Sequence, residues 1–436
     1  MSEAASPTAI VAGGGIAGMA AAMMLADAGV RVTLLEARRV LGGRAGSFED
    51  QRSGEVLDNC QHVAMGACVR YVAFLRRLGT ADQLEWTPRQ TWIEPSGRRS
   101  VLRPLPLPTP GEFAWSFLRA RFLSRADKRC IARAVLAARR VDRASLATLP
   151  FGAWLAEQRQ TPRSIARFWT PLIVSACNLE PHRVSTECAL HVVQGTLLAG
   201  ARASSIGVPA GPLVDLYAPL HRLLEAAGGG VRLGARVAGI EPGGVRLVGG
   251  DSLAADAVVC ALDAVAANRL VTIGGREPYA GVSFSPILGV HLRFDRPVLD
   301  VPHAVLVDAA THWLFRKHRD PRLVHAVASA ADDWVGLGED AIVERVLADV
   351  ARLPAAKGAR LEWARAVLER RATFAATPEF QPARPVPGSR TDNGAYLAGD
   401  ATATGWPATM ESAVRSGEAA AATVLLSFGG RRDAIV

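Results

Sequence analysis

Four short stretches of this chain hold residues whose types and spacing could do chemistry. Near the start, Gly13-x-Gly15-x-x-Gly18 lies between an apolar run, Thr8-Ala9-Ile10-Val11-Ala12, and a helical pattern rich in Ala and Met. Gly13 permits a sharp turn, Gly15 lets the backbone approach a pyrophosphate, and Gly18 lets helix and strand pack closely. The helix N-terminus offers unpaired N–H groups to the phosphates. A second strand pattern, Val30 to Leu35, ends in Glu36, placed to accept hydrogen bonds from an adenosine ribose. Strand, helix, strand and acid in register make a dinucleotide-binding βαβ unit. The second stretch, Gly42-Gly43-Arg44, follows at once, and the third, Asp58-Asn59-Cys60-Gln61-His62, brings two titratable groups. The fourth begins at Gly399-Asp400, behind the apolar run Ala395-Tyr396-Leu397-Ala398, and leads through Pro407 and Ala408 into a helix-like pattern. A helix opening near Pro407 is expected there, because proline at a first turn loses no intrahelical bond.

Composition bounds what can position these residues. A chain of 436 residues suggests two or so interwoven domains. The formal charge is +9, and only three of the 50 basic residues are lysines (Lys128, Lys317, Lys357). The arginines are scattered, with no basic stripe studded by aromatics, which argues against nucleic acid as a partner. A basic surface does suit an anionic membrane face. The six cysteines include no C-x-x-C, the nine histidines form no H-x-x-x-H pair, and no structural metal is expected. A reduced, cytoplasmic protein follows, with peripheral attachment to the inner membrane face as an option. Residues 9–26 carry no charge, yet three consecutive glycines interrupt them where a membrane helix should be regular, and no basic segment precedes them.

The glycine pair and arginine after Glu36 resemble the amine oxidase and phytoene desaturase superfamily, which binds FAD. The resemblance implies an α/β fold: a Rossmann-like FAD-binding domain with a discontinuous α+β substrate domain. It places Gly43 and Arg44 near the pyrophosphate and isoalloxazine. It places Gly399 and Asp400 at the ribityl and pyrophosphate region, and Pro407 and Ala408 at a helix N-terminus aimed at the flavin pyrimidine ring. A positive helix end there favours the anionic reduced flavin. The stretch Gly230 to Ile240 looks like the family's strand pair in which one valine backbone, here Val237, meets the adenine. Residues 256–261 resemble the return strand beneath the cofactor. These pieces imply an FAD-binding domain of residues 1–80, 205–275 and 385–436, and a substrate-binding domain of residues 81–204 and 276–384.

Within the substrate domain, the patterns predict helices over Phe113–Leu123 and Lys128–Val141, strands at Ile287–Phe294 and Ala304–Val307, and a helix near 339–353. Aromatics and arginines alternate in the first helices, as in a core-facing helix with a basic face or an interfacial helix at a membrane. A second GxGxxG is absent, so no nicotinamide site is expected, and electrons must come from an external donor.

Narrower motifs are Asp58-Asn59-Cys60-Gln61-His62, Trp169-Thr170-Pro171-Leu172 with Ser175-Ala176-Cys177-Asn178, Arg384-Pro385, and the segment 399–417. Together they resemble the squalene-associated FAD-dependent desaturases, the hydroxysqualene dehydroxylases of bacterial squalene and hopanoid pathways. Ala401, Trp406 and Cys177 depart from that pattern, which bears on substrate geometry. The resemblance implies reductive loss of an allylic hydroxyl from hydroxysqualene, a long apolar isoprenoid, giving squalene. An acid must assist the leaving hydroxyl, and Asp58 and His62 are the candidates, ahead of Cys60 and Cys177. Rivals are a carotenoid or phytoene-type desaturase or isomerase, an amine oxidase, and a non-catalytic prenyl-lipid carrier of the same architecture.

Overall fold

The computed structural model describes residues 6–109 and 111–429. Strand β1 (Thr8–Ala12), helix α1 (Ile16–Asp27) and strand β2 (Arg31–Glu36) form the expected unit, with the two strands parallel. Gly230–Leu233 joins the β2 side, while Ala257–Cys260 and then Tyr396–Leu397 extend the β1 side, all parallel. Three distant lengths of chain thus share one sheet. Its central strands read as unbroken apolar runs because both faces are covered, one by α1 and the C-terminal helix and the other by the antiparallel strands around Ile240 and Val245.

Helix α1 explains the uncharged stretch. Nine of its residues are buried, since it lies between the sheet and the C-terminal helix Met410–Ser427. The two helices touch backbone to backbone: a Cβ on Gly417 would sit 2.1 Å from the Ala17 carbonyl oxygen. A helix buried all round is apolar all round. Among the described residues no helix is long and apolar enough to cross a membrane.

The other large layer is a seven-stranded, mostly antiparallel sheet. Its order is Leu361–Phe374, Phe284–Phe294, Leu323–Ser329, Trp313–Arg316, His303–Leu306, Gln90–Ile93 and Arg99–Leu102. Side chains alternate across it. One face, with Leu288, Val290, Leu314 and Ala326, packs beneath helix Glu339–Val350 through Ile342, Val346 and Val350. The opposite face carries His291, His325, Trp313, Phe315 and His303, and meets the segment after Asp58, where Cys60 packs on Phe315 and Val327.

Two helix boundaries differ from the sequence patterns. The helix expected over 113–123 runs only from Ala114 to Arg119, because Ala120 turns extended and Phe122 and Leu123 dive into the core. The next helix starts earlier, at Arg125, behind a capping box in which Ser124 and Asp127 bond each other's backbone N–H groups, and ends at Ala138.

Candidate active site

The glycine turn is built as an anion cradle. Gly13, at φ +114°, bends β1 toward α1, and a Cβ there would lie 2.4 Å from the Ala261 carbonyl oxygen. A Cβ on Gly18 would lie 1.8 Å from the Gly13 oxygen, so the helix and strand meet with no room for a side chain. A Cβ on Gly15, by contrast, would meet nothing within 4 Å, and α1 has no side-chain cap over its first amides. That open space beneath unpaired N–H groups suits a pyrophosphate. The second glycine turn lies on the first: Gly42 N–H donates to the Gly14 oxygen at 2.9 Å, and Gly43 takes φ +59°. Glu36 is buried at the mouth, accepting from Gly14 N–H at 2.8 Å and Arg38 N–H at 2.7 Å. Each oxygen keeps a lone pair for a hydroxyl donor. The Ala235 N–H bonds the Glu36 carbonyl at 2.9 Å, which brings Val237, first residue of strand Val237–Glu241, to the same edge.

Across the turn, Arg44 pairs with Asp400 and donates to the Ala372 oxygen at 3.2 Å. Burial pulls the Arg44 pKa down, but the charge and hydrogen bond of Asp400 outweigh it and hold it above its ordinary value. Gly399, at φ +148°, donates its N–H to Ser416 Oγ at 2.9 Å. The helix behind this loop opens later than expected: Thr409 is its cap, accepting from Ser412 N–H at 3.1 Å, and Met410 its first residue. Pro407 and Ala408 therefore sit in the loop before the cap. The threonine hydroxyl supplies the bond that a proline start cannot.

Sequence reasoning passed over the role of Arg384. This buried guanidinium donates to the backbone oxygens of Asp400 (3.0 Å), Ala401 (3.2 Å), Thr402 and Trp406 (3.0 Å), and to Gln381 Oε1 at 3.1 Å. None of these partners is a carboxylate, so the side chain holds the 400–406 loop by its carbonyls. The only signal was an Arg-Pro pair, which carries no geometry by itself.

The third stretch resolves into distinct roles. Asp58 is 3% exposed; it bonds Lys317 Nζ at 3.0 Å, Ser47 Oγ at 2.8 Å and Leu213 N–H at 2.9 Å. Burial raises its pKa, but the Lys317 charge and these donors prevail and hold it below the usual value. A carboxylate so held favours its ionised form, which weighs against Asp58 as a proton donor. Lys317 also reaches Gln61 Oε1 at 2.9 Å. His62 donates Nδ1–H to the Cys60 oxygen at 3.1 Å, which leaves Nε2 for another partner. Burial lowers its pKa, against the Cys60 carbonyl and Asp58, with Arg44 and Lys317 adding to the fall. Cys60 is pushed up to about 12 by burial and stays a thiol. Burial likewise lifts the Cys177 thiol well above its ordinary value. Behind them His291 and His325 stack at 3.9 Å between ring centroids, and His291 Nε2 meets the Asp58 oxygen at 3.1 Å. Lys317 and the two histidines lie more than 200 residues from Asp58, so no local pattern could reveal the cluster.

Two buried side chains near the loop have polar atoms without partners among the described residues. Tyr279 Oη lies 3.4 Å from where a Cβ on Gly399 would stand, and both ring nitrogens of His191 are unbonded where the ring meets Trp406 edge-on. Unpaired polar atoms beside the glycine cradle, an arginine and an aspartate fit a polar, phosphate-bearing flavin nucleotide.

The sequence profile of the family described as "Flavin containing amine oxidoreductase" matches residues 16–425. A hydroxysqualene dehydroxylase of Sinorhizobium fredii is 31% identical, covering 94% of this chain and 96% of its own. A chloroplastic/chromoplastic 15-cis-phytoene desaturase of an Oncidium hybrid cultivar is 27% identical, over 96% of this chain and 78% of its own. Among solved structures, cyclohexylamine oxidase of Brevibacterium oxydans superposes with a TM-score of 0.68 at 20% identity, covering 97% of this chain and all of that one. The last likeness shows the fold; with the profile and the first relative, it makes this chain a member of the flavin-containing amine oxidoreductase family, akin to the hydroxysqualene dehydroxylases, and an FAD-dependent oxidoreductase.

Proposed function

We propose that this chain reductively removes the allylic hydroxyl of hydroxysqualene, giving squalene. Bound FAD, once reduced by an external donor, supplies the hydride in such chemistry. The protein's part is to hold a long apolar isoprenoid, protonate the departing oxygen and keep water from the allylic centre. Each turnover then consumes one hydride equivalent and one proton, and releases water.

His62 is the proton donor in this reading. Its Nδ1 is committed to Cys60, so Nε2 is the nitrogen left to give a proton; burial lowers its pKa, which makes the imidazolium a stronger acid and a less populated one near neutral pH. Asp58 fixes Lys317 and the segment at Leu213 instead. Gly13, Gly15, Gly18 and Glu36 hold the adenosine and pyrophosphate end of FAD. Gly43, Arg44, Val237, Gly399, Asp400, Pro407 and Ala408 line the rest. The division into an FAD-binding domain (1–80, 205–275, 385–436) and a substrate domain (81–204, 276–384) belongs to the same proposal. So do a cytoplasmic location and a membrane face as the source of so apolar a substrate.

The observation that carries the reading is the likeness to a dehydroxylase over nearly the whole length of both chains. The desaturase likeness supports a second reading, hydride removal from a polyene. An anaerobic experiment separates them. Protein with chemically reduced FAD is mixed with hydroxysqualene, and squalene is sought as the flavin reoxidises. Squalene in proportion to reoxidised flavin supports dehydroxylation. An inert reduced flavin, with an oxidised form that bleaches on phytoene, overturns it in favour of the desaturase.

A further inference from the structure

The edge strand Arg99–Leu102 of the seven-stranded sheet and the short helix Ala114–Arg119 enclose a surface groove of about 410 Å³. Its apolar residues stand outward: Trp115 is 52% exposed, Val101 45%, and Leu118, one turn along the same helix, 62%. Leu107, on the loop that leads into the helix, is 46% exposed. Soluble surfaces seldom gather so many large apolar side chains in one place without a partner.

The charges around them have one sign. Arg99, Arg103, Arg119 and Arg121 line the groove, and among the described residues no carboxylate does. Arg99 is paired with Asp300 at 2.7 Å, while the other three form no salt bridge among the described residues. The acids nearest in sequence point elsewhere, Glu94 pairing with Arg98 at 2.6 Å. Glu112 accepts from Thr109 and from Ala201 N–H, and Asp127 is buried in its capping box. Arg119 lies over the Trp115 ring at 5.4 Å, a guanidinium and an indole presented together.

The patch is anchored on its inner side. Ser116 Oγ bonds the Arg103 backbone, Arg121 N–H bonds Ser100 Oγ at 3.0 Å, and Lys128 Nζ bonds the Leu118 oxygen at 2.7 Å. The apolar tips are thus held outward by ordered backbone. We propose that this surface docks the protein on an anionic lipid bilayer, with Trp115, Leu118 and Leu107 entering the acyl boundary and Arg103, Arg119 and Arg121 resting on the headgroups. An indole and leucines amid arginines match an interface that is apolar on one side and anionic on the other. A protein partner would call for paired charges and a broader flat area, and a nucleic acid for a basic track longer than this one helix.

This claim deepens the membrane part of the proposed function but stands on its own test. Full-length protein is floated with vesicles of phosphatidylglycerol and phosphatidylcholine, and with vesicles of phosphatidylcholine alone. Wild type is expected to float with the anionic vesicles, more weakly at high salt. Trp115→Ser with Leu118→Ser, and separately Arg119→Glu with Arg121→Glu, are each expected to weaken partition by about tenfold or more. Wild type that stays at the bottom with anionic vesicles, or variants that float like wild type, overturn the docking surface. Turnover of detergent-dispersed substrate by the same variants should match wild type. If no preparation converts that substrate while wild type still floats, the dehydroxylase reading falls and the docking surface stands.

Discussion

The glycine cradle and the Asp58 cluster are made in opposite ways. The cradle works through backbone: turns too tight for a Cβ, amides left open and one buried glutamate. The cluster works through side chains brought from far apart: Asp58 to Lys317, Ser47 and Leu213, and His291 back to the Asp58 carbonyl. The first is stiff because nothing else fits. The second is stiff because an ion pair and its hydrogen bonds satisfy one another, and it fails when one member is removed.

That contrast can be broken from either side. Gly18→Ala drives a Cβ into the Gly13 carbonyl and should move the helix off the strand. FAD affinity should fall by about a hundredfold or more, read as loss of visible flavin absorbance in purified protein. Asp58→Asn leaves Lys317 half-stranded and should lower unfolding stability by about 3–5 kcal/mol in denaturant titration. Adding Lys317→Met should return much of that loss; a double variant as unstable as the single would mean the pair is not the unit. The sign with pH follows. The Asp58 pKa is depressed on folding, so its contribution is whole above the unfolded carboxylate value of about 3.9 and is lost as pH falls through the folded value. The gap between wild type and Asp58→Asn should therefore narrow in acid.

His62→Gln should lower turnover by roughly a hundredfold while flavin content holds, measured by single-turnover reoxidation. Because burial lowers the His62 pKa, wild-type turnover should decline as pH rises through a value below the ordinary histidine range. Turnover of the Gln variant near wild type would remove His62 from the chemistry. The smallest effect is expected at the loop. Arg384→Lys keeps the charge but loses the planar fork, and FAD should bind about tenfold more weakly. Unchanged affinity would show that the loop carbonyls hold their places without it.

What the sequence disclosed follows the same divide. The βαβ unit was legible because its chemistry is local and its glycines have few other uses. Asp58 and His62 were singled out as a pair, but their different surroundings depend on Lys317 and the Cys60 carbonyl, contacts no spacing announces. Arg384 was quoted without a function because its partners are carbonyl oxygens, which every residue has. The end of helix Ala114–Arg119 was misplaced because Phe122 and Leu123 continue its apolar pattern while pointing into the core. Pro407 suggested a helix start two residues before the threonine that caps one.

The parallel sheet also sets a timetable. Its first strand, Thr8–Ala12, and its last, Tyr396–Leu397, stand at opposite ends of the chain, and α1 gains its roof only from Met410–Ser427. At ribosomal speeds of about 5–20 residues per second, the first βαβ unit waits roughly 20–80 s for its last neighbours to be synthesised. Through that interval the small-residue face of α1, with Ala17 and Ala21 where Gly417 will later lie, is bare to solvent. Cofactor capture is then a late event in the life of each molecule, and a nascent chain stalled short of its final helix is a substrate for chaperones before it is a flavoprotein.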